Sequence, residues 1–381
     1  MKRLKILTFS NCQPRASEGS GQIARAYTEG LRQSGHLVDF MGPDDYEVLQ
    51  LLRPRANSYR QAIGMWKSAS RKLRANDYDV VEFYGGEAWI AINRLAKRPN
   101  RRFLLVQHTN GPEPRYERML DEYFGSTCRT WYQIRRESFM KKAFTKADLV
   151  VTVSEYDRDW LIREEYQPAD RVVAIDNPIA DEFFDTPIPH IKEKIIGYCG
   201  TWLPRKGVRV LAEDIGRILK EFPDYRLLLV GVGSSFEKER YFSAEICSRI
   251  EVVPHVEDKA ELRNLYARMS IFVLPSIGES FGLALAEAMA CGCAAAATRV
   301  GFAAGLNDRE DAMLLERAES PNLYRAVREL IVNTDLRQQL SQQAPRAVQH
   351  LGWSEAISKL NITYLSWVSR PHAASDSRLN G

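Results

Sequence analysis

Apolar residues along this chain follow two alternating rhythms. Short, nearly continuous runs at 4–9, 36–41, 79–84, 103–107, 149–153 and 172–175 predict strands buried on both faces. Between them, apolar residues recur at helical spacing, for example over 22–33, 129–143 and 156–165. The stretch 181–193 holds Pro187 and Pro189, has no period and predicts a linker. The rhythm then restarts, with strands predicted at 195–199, 226–230, 250–253, 271–274 and 294–297. Helices are predicted between and after these at 209–221, 235–248, 259–268, 283–290 and 323–333. A last helical pattern covers 353–368. Strands alternating with helices mean parallel sheets covered on both faces. The expected fold class is α/β, with two doubly wound, Rossmann-like domains facing a central cleft. The expected divisions are 1–186, 187–352, a helix at 353–370 returning to the first domain, and a disordered polar tail at 371–381.

Composition adds limits. A chain of 381 residues, 45% hydrophobic and 27% charged, is long enough for two self-sufficient cores. The six cysteines (Cys12, Cys128, Cys199, Cys247, Cys291 and Cys293) show no CxxC pair and no framework spacing. Reduced thiols and a cytoplasmic location are expected. Cys291 and Cys293 read as small buried residues, since a metal site would need further ligands close by. The run at 4–9 is interrupted by Lys5 and Thr8, so it reads as a first strand rather than a leader. No run reaches the roughly 20 apolar residues that span a bilayer, which leaves only peripheral membrane contact.

Charge is uneven. Between Arg53 and Arg74 stand seven basic residues and no acidic one. Within that stretch Tyr59, Ile63, Trp66, Ala69 and Leu73 share one helical face, while Arg60, Lys67, Arg71, Lys72 and Arg74 lie elsewhere on the same helix. The expectation is a stripe that faces the core. The alternative is an interfacial helix on anionic lipid at the inner face of the membrane. Nucleic-acid binding is not expected, because the basic region carries no recognised module.

The chemistry concentrates in LPSIGESFGLALAEAMACG, residues 274–292. A buried strand ends at Pro275-Ser276, a loop carries Gly278, Glu279 and Ser280, and a helix starts near Phe281, Gly282 and Leu283. The unpaired amides of such a helix start suit a pyrophosphate. Two carboxylates beside a phosphate site are electrostatically awkward unless the ligand also offers hydroxyls, as sugars and riboses do. The spacing of Glu279 and Glu287, with Phe281-Gly282 between them, resembles the E-x7-E motif of the retaining glycosyltransferases of family 4, which have the GT-B fold.

The resemblance extends in order along the chain. GTWLPRKG, from Gly200 to Gly207, looks like the family's loop after the first strand of the second domain, and it implies that Lys206 and Arg205 neutralise the donor phosphates. The family commonly has an arginine where this chain has Thr201. The segment around Gly231 is similar to the family's glycine loop near the nucleotide, and Val253-Pro254-His255-Val256 to the stretch lining the base, with Val256 contributing backbone. SEGSGQIARAY places Gly19 and Gly21 against the donor phosphate from the first domain. His108, closing a strand, matches a histidine close to the transferred sugar. Glu87 is a further candidate for facing the acceptor. The DxD at Asp77–Asp79 reads as a turn, and nothing is carried over to Gly301, Phe302 and Gly305.

The resemblance therefore implies transfer of a hexose-type sugar with retention from a nucleotide sugar, UDP before GDP, to a glycan, lipid-linked or small-molecule acceptor. Glu279 would hold the sugar and Glu287 the ribose. No cofactor and no divalent metal are expected. The rivals are a nucleotide-sugar epimerase of similar fold, a phosphorylase (which would need a lysine for pyridoxal phosphate) and a catalytically silent nucleotide-sugar-binding protein.

Overall fold

The computed structural model describes residues 2–13, 19–52, 57–125, 131–185 and 192–370. Two six-stranded parallel sheets divide the chain. The first holds β1 (Lys5–Ser10), β2 (Leu37–Met41), β3 (Val80–Tyr84), β4 (Leu104–His108), β5 (Leu149–Thr152) and β6 (Val172–Ala174), in the order β2-β1-β3-β4-β5-β6. The second holds β7 (Glu193–Cys199), β8 (Arg226–Val230), β9 (Ile250–Val253), β10 (Met269–Leu274), β11 (Ala294–Thr298) and β12 (Met313–Leu315), in the order β12-β11-β10-β7-β8-β9. Central strands such as β3, β5 and β10 are buried along their whole length. That burial on both faces explains why they read as continuous apolar runs rather than alternating ones.

Each strand order reverses once, between β1 and β3 in the first sheet and between β7 and β10 in the second. Loops leaving adjacent strands at such a point diverge to opposite faces of the sheet and open a crevice at their carboxyl ends. The loops after β7 and β10 are the two that carry Gly200–Gly207 and Glu279–Gly282.

Three expectations need correction. The helix predicted over 235–248 is a turn at Lys238–Arg240 and a single turn at Ala244–Cys247. Phe236 and Tyr241 there stack with ring centroids 5.4 Å apart and pack around Trp202, so side-chain clustering replaces helical periodicity. The linker is shorter than predicted: Asp181–Phe183 forms a 3-10 turn and β7 already starts at Glu193, with 186–191 outside the described residues. The helix Thr334–Val348 was missed because Pro345 lies inside it; so was the three-residue strand β12.

The basic segment forms the helix Asn57–Ala75, with Arg53 and Arg55 outside the described residues. Met65, Ala69 and Leu73 enter the core of the first domain and Trp66 packs against it, whereas Tyr59 is exposed. Arg60 is buried rather than solvated, paired with Glu47 at 2.7 Å. Among the described residues, no helix is long and apolar enough to cross a membrane. In the DxD, Asp79 accepts from the Lys5 amide at 2.8 Å and serves as a turn partner of β1. Residues 371–381 lie outside the described residues.

The helix Trp353–Val368 crosses back and packs on Gly19–Gln33. Ala356, Leu360 and Tyr364 are buried with Ile23, Tyr27 and Leu31 in one cluster. Three polar contacts fix the docking: His36 Nε2 to Asn361 Oδ1 at 2.8 Å, and Tyr364 OH to both Glu82 and His108. Replacing Tyr364 with Phe leaves Glu82 and His108 buried and one partner short. The expected cost is about 1–3 kcal/mol in denaturant unfolding; a change within about 0.5 kcal/mol would show that the phenol only fills space.

Candidate active site

The two loops at the β7/β10 crevice interlock through their backbones. The Ile277 amide donates to Arg205 O at 2.8 Å. Gly207 turns the first loop with φ +67°, and a Cβ there would stand 1.7 Å from Pro275 O, so no other residue fits the junction. The contact brings the chemistry together. Lys206 Nζ donates to Glu279 Oε1 at 2.6 Å, and Ser276 Oγ donates to the same oxygen at 2.7 Å. Arg205 Nη1 lies 3.8 Å from Glu279 Oε2. Glu279 is buried and Lys206 nearly so, while Arg205 is partly exposed.

Beyond Glu279 the chain enters the helix Leu283–Ala290, capped by Gly282 in a left-handed conformation at φ +97°. Among the described residues, the amides of Phe281, Gly282, Leu283 and Ala284 have no hydrogen-bond acceptor. Such unpaired amides at a helix start attract anions. The Phe281 carbonyl accepts from the Phe302 amide at 2.8 Å, and Leu283 packs against the cores of both domains.

Glu287 sits one turn inside, also buried. Its oxygens accept from Lys259 Nζ at 3.3 Å and Tyr266 OH at 3.1 Å. Burial pushes its pKa above the ordinary carboxylate value; Lys259 and Tyr266 only partly offset that. Gly200 and Gly231 close β7 and β8 side by side, the Gly200 amide on Val230 O at 2.9 Å and the Gly231 amide on Val253 O at 2.8 Å. Thr201 is exposed, and its carbonyl accepts from Tyr198 OH at 3.1 Å. Val256 is partly buried against the second core, and His255 is exposed beside Glu257.

The first domain contributes differently. Gly19 opens the helix Gly19–Gln33, and Gly21 in its first turn lies against Gln13, where a Cβ would stand 2.2 Å from the carbonyl oxygen. His108 closes β4, as buried as the two glutamates, and lines a small cavity with Thr109, Asn110 and Asn177. Its ring stacks on Tyr84 with centroids 4.1 Å apart, and Nε2 meets Glu82 Oε2 at 3.0 Å and Tyr364 OH at 2.7 Å. Burial alone would raise the Glu82 pKa, yet hydrogen bonds from His108, Thr8 and Tyr364 hold it below the ordinary value. Glu87 is buried at the end of β3 and accepts from Asn11 Nδ2 at 2.9 Å, next to the stacked rings of Trp89 and Phe139.

Several neighbours of the site had no signal in the sequence. Ser276, Lys259 and Tyr266 hold the two glutamates; only Ser276, three residues before Glu279, is close enough in sequence to have been found. From the first domain, Ser154 Oγ donates to Ser280 O at 2.6 Å. Asp157 pairs with Arg115 at 2.5 Å, and Arg115 lies over the Tyr156 ring. Burial pushes the Asp157 pKa from 3.8 up to about 7, against the pull of Arg115 and the Ser280 side chain.

Similarity to known proteins agrees with this geometry. Residues 17–183 match the model described as Glycosyltransferase Family 4, and 193–333 the one described as Glycosyl transferases group 1. The architecture is that of GT-B glycosyltransferases. A sucrose-phosphate synthase from Thermosynechococcus elongatus superposes with a TM-score of 0.75 at 18% identity, covering 96% of this chain and 99% of that one. Anabaena HepE in complex with UDP-glucose superposes with a TM-score of 0.68 at 17% identity, covering 96% and 100%. An uncharacterized glycosyltransferase of Methanocaldococcus jannaschii is 27% identical over 61% of this chain and 63% of its own length. A phosphatidyl-myo-inositol mannosyltransferase of Mycobacterium leprae is 31% identical over 42% and 43%. The matched stretch spans 43% to 63% of the length of these curated relatives. With both halves matched in order, the chain belongs to glycosyltransferase family 4.

The Asp157 carboxyl makes a titration testable. Its folded pKa lies above the unfolded value, so the folded state keeps its proton longer. Its contribution to stability is full below about pH 4 and is lost as pH rises to about 7. Relative to Asp157→Asn, the melting temperature is expected to fall across that window and to run parallel above it. Parallel curves throughout would mean that Asp157 has the same proton affinity in the folded and unfolded chain, and would remove the raised pKa.

Proposed function

We propose that the chain transfers a sugar from a nucleotide-sugar donor, UDP-linked before GDP-linked, to a glycan, lipid-linked or small-molecule acceptor, with retention at the anomeric carbon. The observation that carries this reading is Glu279 held between Lys206 and Arg205, directly before a helix start whose amides lack acceptors. A nucleoside diphosphate leaves as an anion. Charge growing on its β-phosphate needs donors already in place, because reorganising them during the reaction would add to the barrier. Lys206, Arg205 and the amides of Phe281 and Gly282 meet that need with no divalent metal in the scheme.

The same arrangement explains the glutamate. A pyrophosphate on the helix start takes over the charges of Lys206 and Arg205, and Glu279 then accepts from sugar hydroxyls. Glu287, one turn further in, accepts from the ribose, and Gly200, Thr201, Gly231 and Val256 line the nucleoside with backbone. Gly19 lets the first domain approach the phosphates closely, and Gly21 lets the chain at Gln13 lie against the same helix start. The first domain holds the acceptor, with Glu87 at its β3 edge. The name of HepE's ligand, UDP-glucose, supports the UDP choice; that of the mycobacterial mannosyltransferase supports a lipid-linked acceptor.

A thermal-shift panel of UDP, GDP and ADP tests the reading. UDP or GDP is expected to raise the melting temperature, and Lys206→Ala to abolish most of that rise. With a donor in hand, Lys206→Ala is expected to lower turnover by about 100-fold or more, and Glu279→Gln to lower it while nucleotide binding persists. No stabilisation by any of the three nucleotides would remove the proposal.

A further inference from the structure

Ser154 belongs to the first domain, in the turn between β5 and the helix Glu155–Arg163, yet its hydroxyl reaches into the motif loop of the second. Its Oγ accepts from the Asp157 amide at 3.2 Å, capping its own helix. That bond occupies a lone pair and turns the single hydroxyl proton outward, where it meets Ser280 O at 2.6 Å. Ser154 is buried, as are Ser280 and Asp157, so water does not compete for the bond. The base of the turn is rigid as well. Asp157 is clamped by Arg115, and its carboxylate also faces the Ser280 side chain.

The carbonyl of Ser280 and the amide of Phe281 belong to one peptide unit. In a planar trans peptide these two groups point in opposite directions. A partner that pins the carbonyl therefore aims the amide. The next peptide is pinned in the same way, since Phe281 O accepts from the Phe302 amide at 2.8 Å, which aims the Gly282 amide. The second pin comes from the same domain as the helix. The first comes from across the interface.

We propose that Ser154 is a positioning residue that aims the Phe281 amide at the donor's β-phosphate, so that the anion site is complete only when the two domains are in the arrangement seen here. This rests on the functional reading above and adds a residue outside the motif that completes it. Domain closure then does more than enclose the substrates: it orients one of the donors that receive the leaving group's charge. An open molecule still holds a nucleoside, but it grips the terminal phosphate less well.

The test uses the full chain, calorimetric titration, and UDP with UMP as its β-phosphate-free control (GDP with GMP if the protein prefers guanosine). Ser154→Ala is expected to weaken UDP by about fivefold to tenfold, as for one misaligned hydrogen bond to a charged group, and to leave UMP within about twofold. Ser154→Thr keeps both the cap and the outward proton and is expected to restore the UDP-to-UMP ratio. A general loosening of the fold would weaken both nucleotides alike and leave the ratio unchanged; that result, or a wild-type ratio in Ser154→Ala, overturns the inference. If the unaltered protein binds none of UDP, GDP and ADP, the functional reading fails and this inference falls with it.

Discussion

The active-site half of this molecule depends on one backbone constraint: the close approach of Gly207 to the carbonyl of Pro275. That contact welds the loop after β7 to the loop after β10. Lys206 and Arg205 arrive on one loop, Ser276 and Glu279 on the other, and neither pair has chemical meaning alone. A side chain on residue 207 would push the loops apart and take the cations out of reach of the carboxylate. The crevice that accommodates them is a product of strand order, because β7 and β10 are neighbours in the sheet but leave it in opposite directions.

Burial then sets the electrostatics. Glu279 and Glu287 are both removed from water, but they are treated differently. Glu279 is held by a lysine, an arginine and a serine hydroxyl. Glu287 is held by one lysine at longer range and a phenol, and burial prevails over them. Two buried carboxylates with such different neighbours are suited to different ligands. Neither set of contacts is visible in a motif written as two letters and a spacing.

Much of the fold was legible because its physics is local. Strands such as Arg226–Val230 and Ile250–Val253, and helices such as Lys259–Arg268 and Leu283–Ala290, have the predicted bounds, since apolar runs and 3.6-residue spacing are direct consequences of double-sided and single-sided burial. The motif loop was legible for a related reason: a strand end, a flexible loop and a helix start must follow one another in sequence. What was not legible depends on tertiary neighbours. The segment 235–248 has helical composition but folds around Trp202. Arg60 reads as a surface charge until Glu47, thirteen positions earlier, is placed beside it. The partners of His108 were hidden too, since the tyrosine that meets its Nε2 lies 256 positions away. Ser154, Asp157 and Arg115 carry no motif at all, and they matter only because a second domain lies against them.

The helix Trp353–Val368 has a further consequence, for how the protein is made. Its residues Ala356, Leu360 and Tyr364 pack with Leu4, Ile6 and Val80 over β1 and β3, and the phenol answers a carboxylate buried in the middle of the first sheet. Ribosomes deliver chains from the amino end, and domains generally fold in that order. Here the first domain waits for a helix that follows the whole second domain in sequence before its interior is closed. During that interval Glu82 and His108 lie beneath an open seam, and the nascent protein exposes the apolar surface that this helix covers.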